Sequence, residues 1–443
     1  MLEALVKKHA KDAGFDLVGI APVDAHEGLK FSRQWVERGF GGEMRFLDNP
    51  KRDDPRRVLP SAQSVICVGL IYNADLPYSA EVADENGNSK MKTRSSQAVT
   101  IDDLGRSDKE RRTRNGFPVS NFQFPVSNPN SGPRGWISRY AWGTDYHKIM
   151  RSKLEKLRRA IEAMAPGVDT WVYVDTGPVV ERAFARLSGI GWAGKNTCLI
   201  NESKGSWFFL GVMLTSLALE PDMPAPDRCG TCTTCIEACP TGELVEPYVM
   251  DASRCIAYLN IELKGSIPEE FRPAIGANVV GCDICQDVCP WNGIGRSQES
   301  VVSSQNEEGG RRVATTLQTE FQPLRVASGH QVMDSGLRTP DHGQQTFSLF
   351  NPPLESLASL SEEDFRRIFQ KSPIKRVKYR GWLRNLCVAM GNSGDSKFLR
   401  RLKYFRQHAD PVVREHAEWA IARILKSNPW TAEFQPPQVH SPS

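Results

Sequence analysis

The chain has 443 residues, of which 40% are apolar and 24% charged, and these values are ordinary for a globular protein. Its formal net charge of +4 comes from 56 basic and 52 acidic residues, so the overall charge indicates no class of partner. No apolar stretch is long enough to span a bilayer, and the N-terminal MLEALVKKHAKDAG lacks the apolar core of a secretory signal. We therefore predict a cytoplasmic protein of about three domains that does not bind a membrane.

Helical and strand patterns alternate through residues 1–222, which we predict to form a first, catalytic domain. In chain order the patterns predict a helix over 2–13, strands over 17–21 and 65–72, a helix over 145–163, a strand over 171–174, a helix over 178–189 and a strand over 207–217. This alternation leaves open an α/β or an α+β domain with one main sheet. Polar residues 85–135 interrupt the pattern and predict a flexible insertion.

The most informative feature is the distribution of the 11 cysteines, because most of them cluster between residues 229 and 289. The clustered cysteines are Cys229, Cys232, Cys235, Cys239, Cys255, Cys282, Cys285 and Cys289. Clustered cysteines in a chain without a predicted export signal indicate metal ligands rather than disulfides. Cys67, Cys198 and Cys387 stand apart from the cluster, and we expect them to be small buried apolar residues.

The spacing of the clustered cysteines favours two 4Fe–4S clusters. The first run has the C-x2-C-x2-C-x3-C-P pattern of bacterial ferredoxins, in which the fourth cysteine ligates the other cluster. We therefore expect one cluster on Cys229, Cys232, Cys235 and Cys289, and a second on Cys239, Cys255, Cys282 and Cys285. A pair of zinc sites is the alternative, because C-x2-C pairs also suit zinc. Residues 223–295 are the predicted ferredoxin-like domain.

The remainder of the chain is a predicted flexible linker over 296–345, a helical, HEAT-like domain over 346–429 and a polar tail over 430–443. The last helix is predicted to begin with Asp410 as its N-cap and Pro411 at its first position. Residues 371–407 contain many Lys and Arg residues and a single acid, Asp395, with aromatic residues interleaved. This segment predicts either a surface for nucleic-acid phosphates or an ordinary solvated helical face.

Several segments together resemble one family. They are Ile137–His147 (ISRYAWGTDYH), Val174–Pro178 (VDTGP), Gly189–Thr197 (GIGWAGKNT), Ser372–Lys375 (SPIK) and the double cysteine run. The chain resembles the epoxyqueuosine reductases, which are cobalamin-dependent iron–sulfur enzymes of tRNA modification. The resemblance implies an α+β fold with an N-terminal α/β cobalamin-binding domain, the ferredoxin-like domain and the helical domain. It also implies reduction of the epoxide of epoxyqueuosine at the wobble position of tRNA, giving queuosine.

The resemblance implies that Asp175 donates a proton to the departing oxygen. Asp175 follows a predicted strand, where partial burial would raise the pKa of its carboxyl group. The alternative is that Asp175 caps a helix beginning at Pro178. His147 is available as a cobalt ligand, but we expect it to be a helix residue satisfied by local contacts.

The remaining site residues are also implied by the resemblance alone. The matching cobalamin contacts are Arg57, Ser138, Asp175, Leu199, Leu210, Ala257, Cys282 and Asp283. Lys264 matches a tRNA contact, with a solvated loop lysine as the alternative. The expected partners are tRNA and an external electron donor, and we expect a monomer. Two other functions stay open: a cobalamin and iron–sulfur reductase of the dehalogenase type, and an iron–sulfur electron-transfer protein.

Overall fold

The computed structural model describes residues 2–79, 132–292, 319–327, 332–333 and 346–427. Most of the predicted insertion at 85–135, most of the predicted linker at 296–345 and the tail at 430–443 lie outside the described residues. No helix in the part of the chain that the structure describes combines the length and apolar character needed to cross a membrane.

The described strands, in chain order, are β1 (Leu17–Pro22), β2 (Ser64–Ile71), β3 (Trp136–Ile137), β4 (Thr170–Tyr173), β5 (Trp192–Ala193), β6 (Leu199–Ile200), β7 (Phe208–Thr215), β8 (Asn278–Val280), β9 (Arg325–Ala327), β10 (Val332–Met333) and β11 (Thr346–Ser348). The α-helices are α1 (Leu2–Asp12), α2 (His26–Glu37), α3 (Tyr146–Met164), α4 (Glu181–Leu187), α5 (Thr234–Ala238), α6 (Arg272–Ile275), α7 (Ile284–Asp287), α8 (Leu354–Ser359), α9 (Glu362–Ile368), α10 (Lys378–Ser393), α11 (Leu399–Phe405) and α12 (Pro411–Ser427). Short 3-10 turns include Pro50–Asp53 and Pro373–Val377, and a single π-helical turn spans Tyr258–Glu262.

The main sheet has the strand order β1-β2-β7-β4, and every pairing in it is antiparallel. The α/β description of the N-terminal region therefore does not hold, and the α+β alternative does. Parallel neighbours would need the crossover connections of an α/β fold, and this sheet has none because all its neighbours are antiparallel. Helix α3 packs on one face through Met150, Leu154 and Leu157, whereas α4 packs on the other face through Phe184. Strands β2 and β7 are consequently apolar on both faces.

The helical region is organised around α10, which is buried from Trp382 to Gly391. A Cβ atom on Gly391 would lie 2.8 Å from the Cα atom of Ala420, so glycine permits the close approach of α12. The predicted start of α12 is confirmed, because the backbone N–H of Val412 donates to Asp410 Oδ1 at 2.9 Å and Pro411 opens the helix.

Two backbone connections join the regions. Strand β3 pairs in parallel with β8, so the segment just before α3 is fixed to the segment just before α7. Strand β9, within the predicted linker, pairs with β11. One hydrophobic core contains residues of β3, β8, β9 and α10, whereas the main sheet packs in two other clusters.

Candidate active site and cysteine centre

Asp175 occupies a tight turn directly after β4, with a φ angle of 56° in the left-handed region. Non-glycine residues seldom adopt this conformation, and when they do the surrounding structure must hold them there. The turn is tight because the N–H of Thr176 donates to the carbonyl of Val174 at 2.6 Å. Helix α4 begins at Glu181 rather than at Pro178, so Asp175 does not cap it. The capping alternative is therefore wrong.

Three side chains from distant parts of the chain meet at Asp175 Oδ2. The hydroxyl of Tyr146 donates a hydrogen bond at 2.7 Å. His147 Nε2 and Arg376 Nη1 each lie 3.4 Å away. Tyr146 and His147 stand at the start of α3, whereas Arg376 belongs to the 3-10 turn that precedes α10. The helical region therefore contributes directly to the surroundings of this carboxylate, although the Asp175 side chain remains 48% exposed.

The network extends outward from these contacts in two directions. His147 Nδ1 lies 2.8 Å from Asp145 Oδ1, and Lys375 Nζ lies 2.6 Å from Asp145 Oδ2. Arg376 Nη2 donates to Glu262 Oε1 at 2.7 Å. The result is a continuous chain of alternating charges in which Asp145 is buried and Asp175 is open to solvent.

The electrostatics of Asp175 differ from the expectation. Burial does raise the pKa of its carboxyl, but the hydrogen bonds from His147 and Tyr146 and the charge of Arg376 outweigh burial and lower the pKa to about 2. The predicted rise is therefore wrong. Burial likewise disfavours the charged imidazole of His147, yet Asp145 and Asp175 raise its pKa to about 9. Near neutral pH the structure thus pairs an ionised Asp175 with a protonated His147.

Two further residues at the Asp175 turn were missed from the sequence. Arg52 Nη1 donates to the carbonyl of Gly177 at 3.0 Å and holds the turn. Glu181 Oε1 is buried and, among the described residues, has no hydrogen-bond partner. Burial chiefly, with a contribution from the charge of Asp175, raises the pKa of Glu181 to about 7. The resemblance pointed to Arg57 instead, whose Nη1 donates locally to the carbonyl of Pro50 at 2.8 Å.

Two of the predicted cobalamin contacts bind one another. Ser138 Oγ donates to the buried carboxylate of Asp283, which also accepts from Trp136 Nε1 at 3.0 Å. Burial chiefly raises the pKa of the Tyr140 hydroxyl, and the charges of Glu262, Asp283 and Asp175 add to this effect against that of Arg376.

The other predicted contacts divide into two places. Leu199 and Leu210 share the hydrophobic cluster that α4 covers. Ala257 stands two residues after Cys255, and Cys255 and Cys282 pack against a separate cluster beneath the helical region. Leu199 and Leu210 thus belong to one cluster, whereas Cys255 and Cys282 belong to another.

Lys264 lies in a group of cations beside the Asp175 network. Burial lowers the pKa of its ammonium group, and the neighbouring charges of Lys378 and Arg376 lower it further, against the opposing effect of Glu262. Buried Arg384 holds this segment in place by donating to the carbonyls of Leu263 and Gly265, both at 2.8 Å. A cationic patch of Lys264, Arg376 and Lys378 results.

The clustered cysteines form no disulfides with one another, and they fall into two neighbourhoods. In one, burial together with the thiols of Cys232 and Cys229 raises the pKa of Cys235 to about 11. Cys289 belongs to the same neighbourhood, because the thiols of Cys229 and Cys235 add to the effect of burial on its pKa. In the other, burial chiefly raises the pKa of Cys255, and the charges of Glu243 and Cys282 add to it. A hydrogen bond with Cys198, followed by burial, raises the pKa of Cys285, with Cys282 contributing, and Cys239 contributes in the same way to Cys282 after burial.

Cys198 differs from its expected role as an isolated apolar residue. Its thiol forms a hydrogen bond with that of Cys285, and this bond is the main cause of a lowered pKa at Cys198. Asn196 Nδ2, two residues earlier, donates to the carbonyl of Cys285 at 3.1 Å. Within the described ranges, no group of three or more His, Cys, Asp or Glu residues is placed to hold a single metal ion.

The thiol spacing and the carboxylate–imidazole network at Asp175 indicate an iron–sulfur protein with an acid–base site. Two family models match the chain: a 4Fe-4S double cluster binding domain over residues 228–292, and "Epoxyqueuosine reductase QueG, DUF1730" over residues 119–176. An epoxyqueuosine reductase of Salmonella typhimurium is 33% identical over 436 residues, covering 98% of this chain and 91% of the relative. One of Gloeobacter violaceus is 37% identical over 396 residues, covering 89% and 97%. The chain belongs to the epoxyqueuosine reductase family.

Solved structures agree in fold. An epoxyqueuosine reductase solved with an epoxyqueuosine-modified stem loop of tRNA-Tyr matches with a TM-score of 0.67 and 26% identity, covering 99% of this chain and 95% of the other. The Bacillus subtilis enzyme, solved with the catalytic loop of an aspartate swung out of the active site, matches with a TM-score of 0.67 and 25% identity, again over 99% and 95%.

Proposed function

We propose that this chain reduces epoxyqueuosine in tRNA to queuosine. The observation that carries the proposal is the Asp175 site, in which a solvent-accessible carboxylate is held by Tyr146, His147 and Arg376. A departing epoxide oxygen requires a proton from a positioned donor, and this network can supply one. The family named by the relatives, and the modified stem loop bound by one neighbour, support epoxyqueuosine as the substrate.

Electrons would enter through the cysteine centre. We assign Cys229, Cys232, Cys235 and Cys289 to one 4Fe–4S cluster and Cys239, Cys255, Cys282 and Cys285 to the other. The two thiol neighbourhoods support this division. Soft thiolate donors suit iron–sulfur clusters, and each cluster passes one electron at a time. An external low-potential donor would then be needed, and the protein would act as a cytoplasmic monomer.

Cobalamin is the third proposed cofactor. Glu181 Oε1 is buried beside the Asp175 turn without a partner among the described residues, and an amide group on the rim of a corrin could satisfy it. The residues that would hold the cofactor are Ser138, Asp175, Leu199, Leu210, Ala257, Cys282 and Asp283, with Arg57 at the periphery. Cobalamin supplies a strongly reducing cobalt centre for the substrate carbon. The protein contributes position and charge around that centre.

The Asp175 turn would move during turnover. In the Bacillus subtilis relative the corresponding loop has been seen swung out of the active site. In this chain the turn is held by the Arg52 contact with the carbonyl of Gly177 and by the three side chains on Asp175. A residue with a φ angle of 56° needs such support, so loss of these contacts would favour the outward position.

The tRNA would bind across the cationic patch and the helical region, which we propose to be HEAT-like. Helix α10 packs between neighbouring helices as a repeat unit would, and α11 exposes Arg400, Arg401, Lys403 and Tyr404. Closely spaced cations bind the phosphate backbone, and an exposed aromatic ring can stack on an unpaired base. The patch of Lys264, Arg376 and Lys378 lies next to Asp175, where the anticodon loop must arrive.

The test is an anaerobic turnover experiment. Protein with both clusters is incubated with cobalamin, reduced methyl viologen and tRNA carrying epoxyqueuosine, and the digested nucleosides are analysed by mass. The expected result is loss of one oxygen atom from the modified base, only when cobalamin is present. No conversion by protein with full iron content would contradict the proposal and favour the electron-transfer alternative.

A further inference from the structure

The proposed reaction consumes two protons, whereas Asp175 can carry only one. Both carbon–oxygen bonds of the epoxide break and a carbon–carbon double bond forms. The oxygen leaves as water, so an epoxide, two electrons and two protons give an alkene and water. The electrons come from a low-potential one-electron donor through the clusters. The second proton must therefore reach the same oxygen through the groups around Asp175.

One path of ionisable groups leads to Asp175 from inside the protein. Asp145 Oδ1 lies 2.8 Å from His147 Nδ1, and His147 Nε2 lies 3.4 Å from Asp175 Oδ2. The ring is held in this orientation, because Asp145 also accepts the backbone N–H of His147 at 3.2 Å and the imidazole stacks on Tyr146 with centroids 4.1 Å apart. The two ring nitrogens thus face two different carboxylates.

We propose that His147 is a positioning residue that supplies protons to Asp175, so that Asp175 can protonate the departing oxygen more than once per turnover. The proposal rests on the proposed function. Asp145 fixes the ring tautomer and stabilises the imidazolium, and Asp175 receives the proton from Nε2. Catalytic hydrogen bonds are often long without substrate, and the 3.4 Å separation would shorten when the substrate excludes water.

The charges around His147 favour storage of a proton on the ring. On its own helix it faces Asp145 and Tyr146, and from the turn after β4 it faces Asp175. From the 3-10 turn before α10, Lys375 reaches Asp145 and Arg376 reaches Asp175, so both cations act on it through the carboxylates. The net result is the pKa of about 9 at His147, beside a carboxyl that is ionised at neutral pH.

The first test compares His147→Gln with His9→Gln, a control on α1. Glutamine can still donate a hydrogen bond towards Asp175, but it cannot carry the titrating proton. We expect kcat at saturating tRNA to fall about 100-fold in H147Q, with KM and iron content unchanged, and no change in H9Q. The wild-type kcat should decline as the pH rises above about 9, the pKa of His147, and this alkaline decline should disappear in H147Q. A kcat within twofold of wild type, with the same alkaline limb, would overturn the proposal.

Asp145→Asn provides a second variant should H147Q fail to fold. Asparagine keeps the helix cap but removes the charge that raises the pKa of His147, so the alkaline limb should move to lower pH. The pKa of His147 is read independently by ring-15N NMR of the oxidised holoenzyme, where H147Q identifies its signal among the eight histidines. A His147 pKa near 6.5 in both wild type and D145N would refute the relay. An inactive wild type would instead refute the proposed function itself.

Discussion

The cysteine centre and the Asp175 site are assembled in opposite ways. The cysteine centre is largely local, since seven of its thiols lie in two short runs and only Cys255 stands between them. The Asp175 site is assembled from residues near 145, 175, 262 and 376, which are joined only in the folded chain. The spacing of cysteines that bind one cluster can therefore be recognised in a sequence, because those cysteines are close together in the chain. A network of charges that sets a pKa cannot, because its residues are far apart in the chain.

Replacing Asp175 is expected to give the largest effect, and it should abolish the function of the Asp175 site without disturbing the cysteine centre. Asp175→Asn keeps the size and hydrogen bonds of the side chain but removes its titrating proton. We expect kcat to fall 100-fold or more while both clusters remain, because the thiols are distant in sequence and contact different residues. Turnover with tRNA and iron content are the measurements. Full activity in D175N would show that another group delivers the proton.

Single cysteine variants can test the assignment of the thiols to two clusters, one cluster at a time. Cys235→Ser and Cys285→Ser each remove a ligand from a different proposed cluster, so each variant should lose about half of its iron and all turnover. Cys387→Ser, a buried thiol in α10 outside the cysteine centre, is the control and should keep its iron. Iron analysis and the absorbance of the clusters check the result. Equal loss of both clusters in each variant would contradict two independent sites.

How far the sequence could predict the structure follows from the same comparison. The capped start of α12 at Asp410 and Pro411 depends on neighbouring residues, and it was correct. His147 was expected to be satisfied locally, and indeed Asp145 binds it, but its second ring nitrogen faces Asp175 across the fold. The pKa of Asp175 was expected to rise because burial is visible in a strand pattern, whereas hydrogen bonds from His147 and Tyr146 and the charge of Arg376, about 200 residues away in sequence, lower it.

Arg376 tests whether the helical region controls the site. Arg376→Gln removes the cation while an amide can still bind Glu262, so the pKa of Asp175 should rise from about 2. Asp175 donates from its protonated form, so a raised pKa should move the acid limb of the kcat profile, where that form accumulates, to higher pH. One unit would make the protonated form about tenfold more populated at a given pH above the pKa. Arg380→Gln, which breaks a 3.0 Å ion pair between α10 and Asp410 at the start of α12, should leave the profile unchanged. An unshifted acid limb in R376Q would show that Arg376 serves only in packing.

The smallest expected effects come from variants of the proposed tRNA surface. They test whether residues that bind tRNA also influence kcat. Reversal of both α11 charges, R400E with R401E, should weaken tRNA binding several-fold and reduce its salt dependence by up to two phosphate contacts, with kcat unchanged. Lys264→Gln should cost about one contact but also lower kcat, because Lys264 lies beside Arg376 in the cationic patch. Arg366→Glu, an exposed residue paired with Glu362 on α9, is the control. Binding is measured at several salt concentrations. If K264Q and the α11 double variant change tRNA binding and kcat in the same way, the cationic patch has no separate role in catalysis. The patch would then be one part of a general phosphate-binding surface that includes α11.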